Sequence, residues 1–335
     1  MKSALIIFCL LITHCLQAQT ITLIEQGKST SIRGLSVVSD KVAWVSGSKG
    51  HVAVTTDGGH TWAWQQVKGF EQSDFRDVEA FSDKEAIIMS SGTPALILRT
   101  VNGGASWNIT FQNNDKAYFL DGMGFFDAKH GLLMGDPING KFLLLETTDS
   151  GRTWNALKTL PEALANEAAF AASGTSLRVL NSRNNVLLLT GGSTSRILLG
   201  VGLKSWNTIE VPLIHGQPSQ GGFSIAVGGG GTVVVGGDYQ QNKKADSVAC
   251  YYSGNESRMK FQLAKQMPGG YQSCVTYLFD HTFLSTGTSG SNITNDGGAT
   301  WRPIDTASYN VCEKAKSGNL ILLAGDKGKI AIFKN

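Results

Sequence analysis

Two arginines and four carboxylates stand at recurrent places in this chain: Arg33, Arg76, Asp77, Asp121, Asp136 and Glu167. Arginine offers a planar fork of N–H donors that matches a carboxylate or a phosphate. Beside acids, such a fork can hold an anionic group brought by a ligand or partner. It can also be spent internally, with Arg33 and Arg76 satisfying Asp77, Asp121 and Glu167 and tying neighbouring parts of the chain together. The residues alone leave both readings open. Asp121, Asp136 and Glu167 further admit a paired-carboxylate hydrolase, because most glycosidases place two acids about 5–10 Å apart across the bond they break. His130 and Lys141 flank the Gly135-Asp136-Pro137 stretch and are expected nearby. No C-x-x-C spacing or Cys/His cluster occurs, so neither a metal nor a redox motif is expected. The run Gly228 to Gly231 leads into Thr232-Val233-Val234-Val235, a strand, whereas a dinucleotide fingerprint needs a helix there. No cofactor is expected.

A radial array must position these side chains. The turn Thr55-Thr56-Asp57-Gly58-Gly59-His60-Thr61-Trp62 recurs three times. The copies are Thr100-Val101-Asn102-Gly103-Gly104-Ala105-Ser106-Trp107, Thr147-Thr148-Asp149-Ser150-Gly151-Arg152-Thr153-Trp154 and Thr294-Asn295-Asp296-Gly297-Gly298-Ala299-Thr300-Trp301. This is the Asp-box, or bacterial neuraminidase repeat, pattern. Asp57, Asn102, Asp149 and Asp296 are suited to accept backbone hydrogen bonds across a tight turn. The glycines allow positive φ, and Trp62, Trp107, Trp154 and Trp301 supply an apolar plate. With their side chains spent in the turn, these acids are structural rather than catalytic.

Trp62, Trp107, Trp154 and a degenerate Trp206 recur about every 45–52 residues, the length of a four-stranded propeller blade. The sequence predicts an all-β protein, a single seven-bladed β-propeller over residues 19–335. Blade one runs from Gly34 to Val67, blade two from Phe75 to near Phe111, and blade three from Gly122 to near Leu157. Blade four spans Glu167 to Val211, keeping only Leu203-Lys204-Ser205-Trp206-Asn207 of the box. Blade five spans Gly222 to Ala264, with Tyr252-Ser253-Gly254-Asn255 at the equivalent turn, and blade six Tyr271 to Ile304. Blade seven starts at Tyr309 and is one strand short. Thr20-Ile21-Thr22-Leu23-Ile24 alternates as a strand should and is expected to complete it, closing the ring.

Residues 1–18 have the form of a signal peptide, with Lys2, an apolar run from Ala4 to Thr13 and Ala18 before Gln19. Cys15 raises lipidation as the lesser alternative, since His14 stands where a lipobox has a small residue. The protein is expected to be exported, periplasmic or secreted, without stable membrane insertion. Its formal net charge of +3 is too balanced to argue for nucleic acid as a partner. Beyond the leader lie Cys250, Cys274 and Cys312. Cys274 and Cys312 fall at matching places in blades six and seven and are expected to be buried thiols; a disulfide is the alternative. Asn108-Ile109-Thr110, Asn255-Glu256-Ser257 and Asn292-Ile293-Thr294 fit a glycosylation pattern usable only in a host with that machinery. Asn242-Lys243-Lys244-Ala245-Asp246 is a solvated loop tip and a candidate partner contact.

Ser31-Ile32-Arg33-Gly34-Leu35-Ser36-Val37-Val38, the first box, Phe75-Arg76-Asp77-Val78-Glu79-Ala80-Phe81 and Gly135-Asp136-Pro137 resemble exported bacterial propellers of the photosystem II stability/assembly factor family. The resemblance implies seven blades and a non-catalytic mode of action, the binding of a protein client. It leaves the client open. Reading the start of each innermost strand round the ring gives Arg33, Arg76 with Asp77, Asp121 and Glu167, then residues near Ser224, Ser273 and Asn310. The expected function is a binding or assembly scaffold that acts through the channel mouth on cell-envelope proteins. The alternative is a sialidase-like glycoside hydrolase acting on an anionic glycan. Sialidases share the Asp box, but neither Ile32-Arg33-Gly34 nor Phe75-Arg76-Asp77 carries the proline of their opening motif. Arg178, Arg183 and Arg196 remain as possible further arginines, with Arg178 not expected at a strand start.

Overall fold

The computed structural model describes residues 19–180, 184–254 and 259–335. Residues 1–18 with Cys15, Arg183 and the Asn255-Glu256-Ser257 glycosylation pattern lie outside the described residues. Seven antiparallel sheets follow one another round a ring. The innermost strands are Ile32–Val37, Phe75–Ala80, Leu120–Phe125, Leu177–Leu180, Gln220–Gly228, Cys274–Phe279 and Val311–Lys314. Thr20–Glu25 pairs antiparallel with Ile330–Lys334 and forms the outer strand of blade seven, as its alternation predicts. The ring is thus closed by joining the two ends of the chain in one sheet, which leaves no open inter-blade edge.

The core is a series of apolar layers between adjacent blades rather than one central mass. The rings of Trp44 and Phe75, with Val78, Ile88 and Leu98, fill the layer between blades one and two. Leu132, Met134, Leu177 and Leu188 do so between blades three and four. The axis, by contrast, is polar and crowded.

The repeated turns sit between the third and fourth strands, on the face away from the starts of the inner strands. Thr55 Oγ1 donates to Asp57 Oδ1 (2.8 Å) and accepts from the Gly59 amide (2.9 Å). Asp57 in turn accepts from the Thr61 amide (2.9 Å) and from the Thr61 hydroxyl (2.6 Å). Those Thr61 bonds hold the Asp57 carboxyl down at about 2. Asp149 and Asp296 repeat the pattern. Asn102 substitutes for the acid, accepting from the Ser106 amide through Oδ1 and donating to its hydroxyl through Nδ2. Trp301 is fully buried behind its turn and donates to the Gly298 carbonyl (3.1 Å).

Blade four departs from the sequence expectation. Its innermost strand is Leu177–Leu180, not a strand beginning at Glu167. Glu167–Ala168 instead pairs with Gly191–Gly192, which reaches Gly221 of blade five. The intervening residues 169–176 cross the channel. Ser173 Oγ donates to the Ser273 carbonyl of blade six (2.8 Å), and Thr175 Oγ1 meets Ser224 Oγ of blade five (2.5 Å). Gly174 packs against the Asp77 carboxylate of blade two, where any side chain would collide. This small-residue segment closes the channel between its two mouths.

Cys250, Cys274 and Cys312 are buried free thiols. Cys274 Sγ donates to the Cys312 carbonyl (3.2 Å), so the matching places do face each other across blades six and seven. Alkylation of the denatured, unreduced protein should label Cys250, Cys274 and Cys312 alike; a peptide pair joining Cys274 to Cys312 would contradict this. Thr55→Val removes the buried hydroxyl that bridges Asp57 and Gly59. It should cost about 1–2 kcal/mol in denaturant unfolding, with no change in the slope of the transition.

Candidate functional site

The inner strands begin with a register break that recurs round the ring. In blade one Ile32 pairs with Gly47 and Gly34 with Ser46, leaving Arg33 as the extra residue. The same skip leaves Arg76, Asp121 and Phe223 extra in blades two, three and five. A bulge re-aims the side chain of its extra residue and bends the strand. Ser273 and Asn310 occupy the matching places in blades six and seven, where their amides bond Thr286 O and Ala324 O. Arg33, Arg76, Phe223, Ser273 and Asn310 consequently line a single cavity of about 540 Å³ at the channel mouth.

The two arginines keep most of their donors uncommitted by the protein. Arg33 makes one long hydrogen bond, from Nη1 to the Ala172 carbonyl (3.5 Å). Arg76 pairs through Nε with Asp74 Oδ2 (2.7 Å), and its guanidinium lies 5.8 Å from the Phe119 ring centre. Among the described residues neither arginine forms an ion pair with Asp77, Asp121 or Glu167. The internal network that the sequence allowed between them is therefore not formed.

Each acid has a separate fate. Asp77 lies below the mouth in the packed interior, where its oxygens accept from the Val78 and Met123 amides (2.8 Å each) and tie blade two to blade three. Burial pushes its carboxyl up to about 7, against those two hydrogen bonds. Asp121 is completely buried, and neither oxygen has a well-formed hydrogen bond. Burial and the nearby Asp136 push it well above the carboxylate range; the Arg76 charge and the Ala171 amide oppose them. Asp136 lines the cavity and accepts from the Ala169 amide (3.0 Å); burial raises its pKa too. Glu167 is not at a strand start. It is buried in a bidentate pair with Arg196, both N···O distances being 2.7 Å.

His130 also lies elsewhere than expected. Leu120–Phe125 starts at the mouth and runs away from it, so the turn carrying His130 is on the opposite face, where Nε2 meets Glu146 Oε1 (2.8 Å). Lys141 follows the Asn139-Gly140 hairpin on the mouth side and is exposed. Arg178 belongs to the inner strand of blade four and lines a separate cavity at the other end of the channel with Glu313.

Three contributors were not foreseen. Asp326 accepts from Ser31 Oγ and Asn310 Nδ2. Burial raises its pKa, but these bonds and the charge of Arg33 outweigh it and keep the carboxyl below its usual range. Phe170 comes from the segment that crosses the channel, and Tyr239 from the loop after Gly231–Asp238. With Phe223 and Tyr271 they form an aromatic wall. Phe170 and Phe223 stack with ring centres 4.0 Å apart, and Tyr271 meets Phe223 edge-on at 4.8 Å. The bulge skip could have nominated Phe223 from sequence; nothing local could have brought Phe170 or Tyr239 to it.

Asp121 yields a stability test. A carboxyl with a raised native pKa is held in its acid form by the fold, so its contribution is complete below the ordinary value near 4. The contribution falls as pH rises from there through the native pKa. Asp121→Asn should thus raise Tm more at pH 8 than at pH 4. Equal shifts at the two pH values would show that Asp121 is not the titrating group.

The comparisons with known proteins agree with this architecture. A family model described as photosynthesis system II assembly factor YCF48 matches residues 17–117. Among curated proteins no sequence match is found. A solved YCF48 bound to D1 peptide superposes with a TM-score of 0.66 at 16% identity, covering 94% of this chain and 97% of that one. YCF48 from Cyanidioschyzon merolae gives 0.66 at 16% identity, with 93% and 98% covered. Virginiamycin B lyase from Staphylococcus aureus gives 0.67 at 12%, with 95% and 99% covered, so the ring itself is shared by binding proteins and by an enzyme. In sequence over residues 17–117 and in fold round the whole ring, the chain is a seven-bladed propeller similar to the photosystem II assembly factor YCF48.

Proposed function

We propose that the protein is an exported, non-catalytic scaffold that binds client proteins of the cell envelope through the mouth of its channel. The observation that carries this reading is the pair of neighbouring arginines, Arg33 and Arg76, presented by bulges into one open cavity with most of their N–H donors unspent. Charge-assisted bonds from such donors are the stronger hydrogen bonds a partner can make. Neighbouring acids do not compete for them fully, since Asp74 bonds only Nε of Arg76 and Asp326 is held by Ser31 and Asn310. The loop containing Asn242 stands beside the mouth, its carbonyl accepting from the Tyr271 amide, and would extend the contact surface. Similarity to YCF48, one solved form of which is bound to a D1 peptide, supports protein binding as the mode of action. The leader-like residues 1–18 support export.

The glycosidase alternative finds less support. Of its three candidate acids, Glu167 is locked to Arg196, and Asp121 is sealed from the cavity surface. That leaves Asp136 alone on the wall.

Crosslinking from envelope extract with the protein and its Arg33→Ala/Arg76→Ala variant tests the proposal. Discrete proteins should be captured by the unaltered protein and fall at least about tenfold with the variant, the loss of one charged hydrogen bond being worth that much. The variant should keep its circular dichroism and Tm, because neither side chain is part of the buried core. Identical capture in both lanes would refute the assignment of the site.

A further inference from the structure

We infer that the mouth accommodates an extended peptide segment in which an acidic side chain stands next to an aromatic one. The acid would lie on Arg33 and Arg76 and the ring against the wall of Phe170, Phe223, Tyr239 and Tyr271. This rests on the mouth being the protein-binding site and names what it recognises there.

Three observations lead to it. First, the cavity is two-sided. The arginines stand at the half-buried edge on blades one and two, and the aromatic residues come from blade five, the start of blade six and the channel-crossing segment. An occupant that satisfied only the charge would leave Tyr239 half in water, and one that satisfied only the rings would desolvate the guanidinium groups without a partner. Second, the wall has a packed floor and an open jaw. Phe223 is 2% exposed, whereas Tyr239 is 48% exposed and meets Phe223 edge-on at 6.3 Å. A large ring left half in water beside a buried cluster gains most from a further ring, and aromatic pairs at these spacings carry about 0.5–1.5 kcal/mol beyond area burial. Third, the size is limiting. About 540 Å³ holds two or three residues, not a folded surface. The crossing segment closes the floor, so a chain cannot thread through the ring. A segment that dips in with two neighbouring side chains fits these limits.

The test uses the full protein and an end-blocked, dye-labelled hexapeptide with aspartate followed by phenylalanine between glycines, read by fluorescence anisotropy. Asparagine in place of the aspartate should weaken binding about tenfold, as should Arg33→Gln in the protein. Alanine in place of the phenylalanine should weaken it at least about threefold, and Tyr239→Ala should produce a loss of the same order. Tyr239 is exposed enough that its replacement leaves the core intact, and Tm of the variant verifies this.

Equal binding of the phenylalanine and alanine peptides, or an unchanged affinity for Tyr239→Ala, would overturn the inference. So would binding only by peptides with a free carboxyl terminus. Phenylacetate that binds as tightly as the peptide would make the occupant a small aryl carboxylate and overturn the peptide assignment. Should the peptides fail while arginine-dependent capture of clients persists, the recognition rule falls and the scaffold function stands. If both fail, the mouth is not the binding site.

Discussion

Seven inner strands converge on one axis, and the space between them is too narrow for ordinary side chains. A Cβ on Gly122 would lie 2.7 Å from the Gly174 carbonyl oxygen, and one on Gly34 would meet the backbone of Asp77 at 2.8 Å. Bulky groups must leave the axis where each strand begins. The repeated bulge does this, turning Arg33, Arg76 and Phe223 outward into the mouth while the next residue continues the ladder. The mouth is thus lined with large polar and aromatic groups that the tightly packed level of Gly34, Gly122 and Gly174 beneath it has no room for.

The same crowding explains the segment across the channel. Beyond Phe170 the segment is alanine, serine, glycine and threonine, which can run where nothing larger fits, and its hydroxyls bond the Ser273 carbonyl of blade six and the Ser224 hydroxyl of blade five. It divides the axis into two compartments with different chemistry. Above lie the arginines and rings. Below, Arg178 and Glu313 are half-buried beside the exposed Lys316, which is bonded to Glu79 and the Ser36 hydroxyl. Burial pushes Glu313 up to about 8 despite the charges of Lys316 and Arg178. Burial thus raises the carboxyls of Asp121 and Asp136 on one side of the segment and of Glu313 on the other, whereas Asp326 at the mouth is held below its usual range.

The stabilising turns and the arginine-lined mouth lie on opposite faces. The Asp-box turns, with their spent acids and depressed pKa values, close the hairpins on one side. The bulged strand starts and the loops above them form the other. The ring itself is shared with proteins as unlike as YCF48 and a lyase.

Sequence by itself determined the ring. A turn of eight residues, closed by its own side chains, needs no distant partner, so its recurrence fixed blade length and blade number, and the alternation of Thr20 to Ile24 identified the closing strand. It also determined which residues start most inner strands, so Arg33, Arg76, Asp121, Ser273 and Asn310 were placed correctly at those starts. What only the tertiary structure decided was which of them share a compartment. Glu167 is not a strand start, because Glu167–Ala168 pairs with Gly191–Gly192 and the carboxylate is held by Arg196, distant in sequence. Asp77, one residue from Arg76, points the other way because side chains alternate along a strand. The aromatic wall joins Phe170, Phe223, Tyr239 and Tyr271 from separate elements, and no local pattern encodes a contact made by closing a ring.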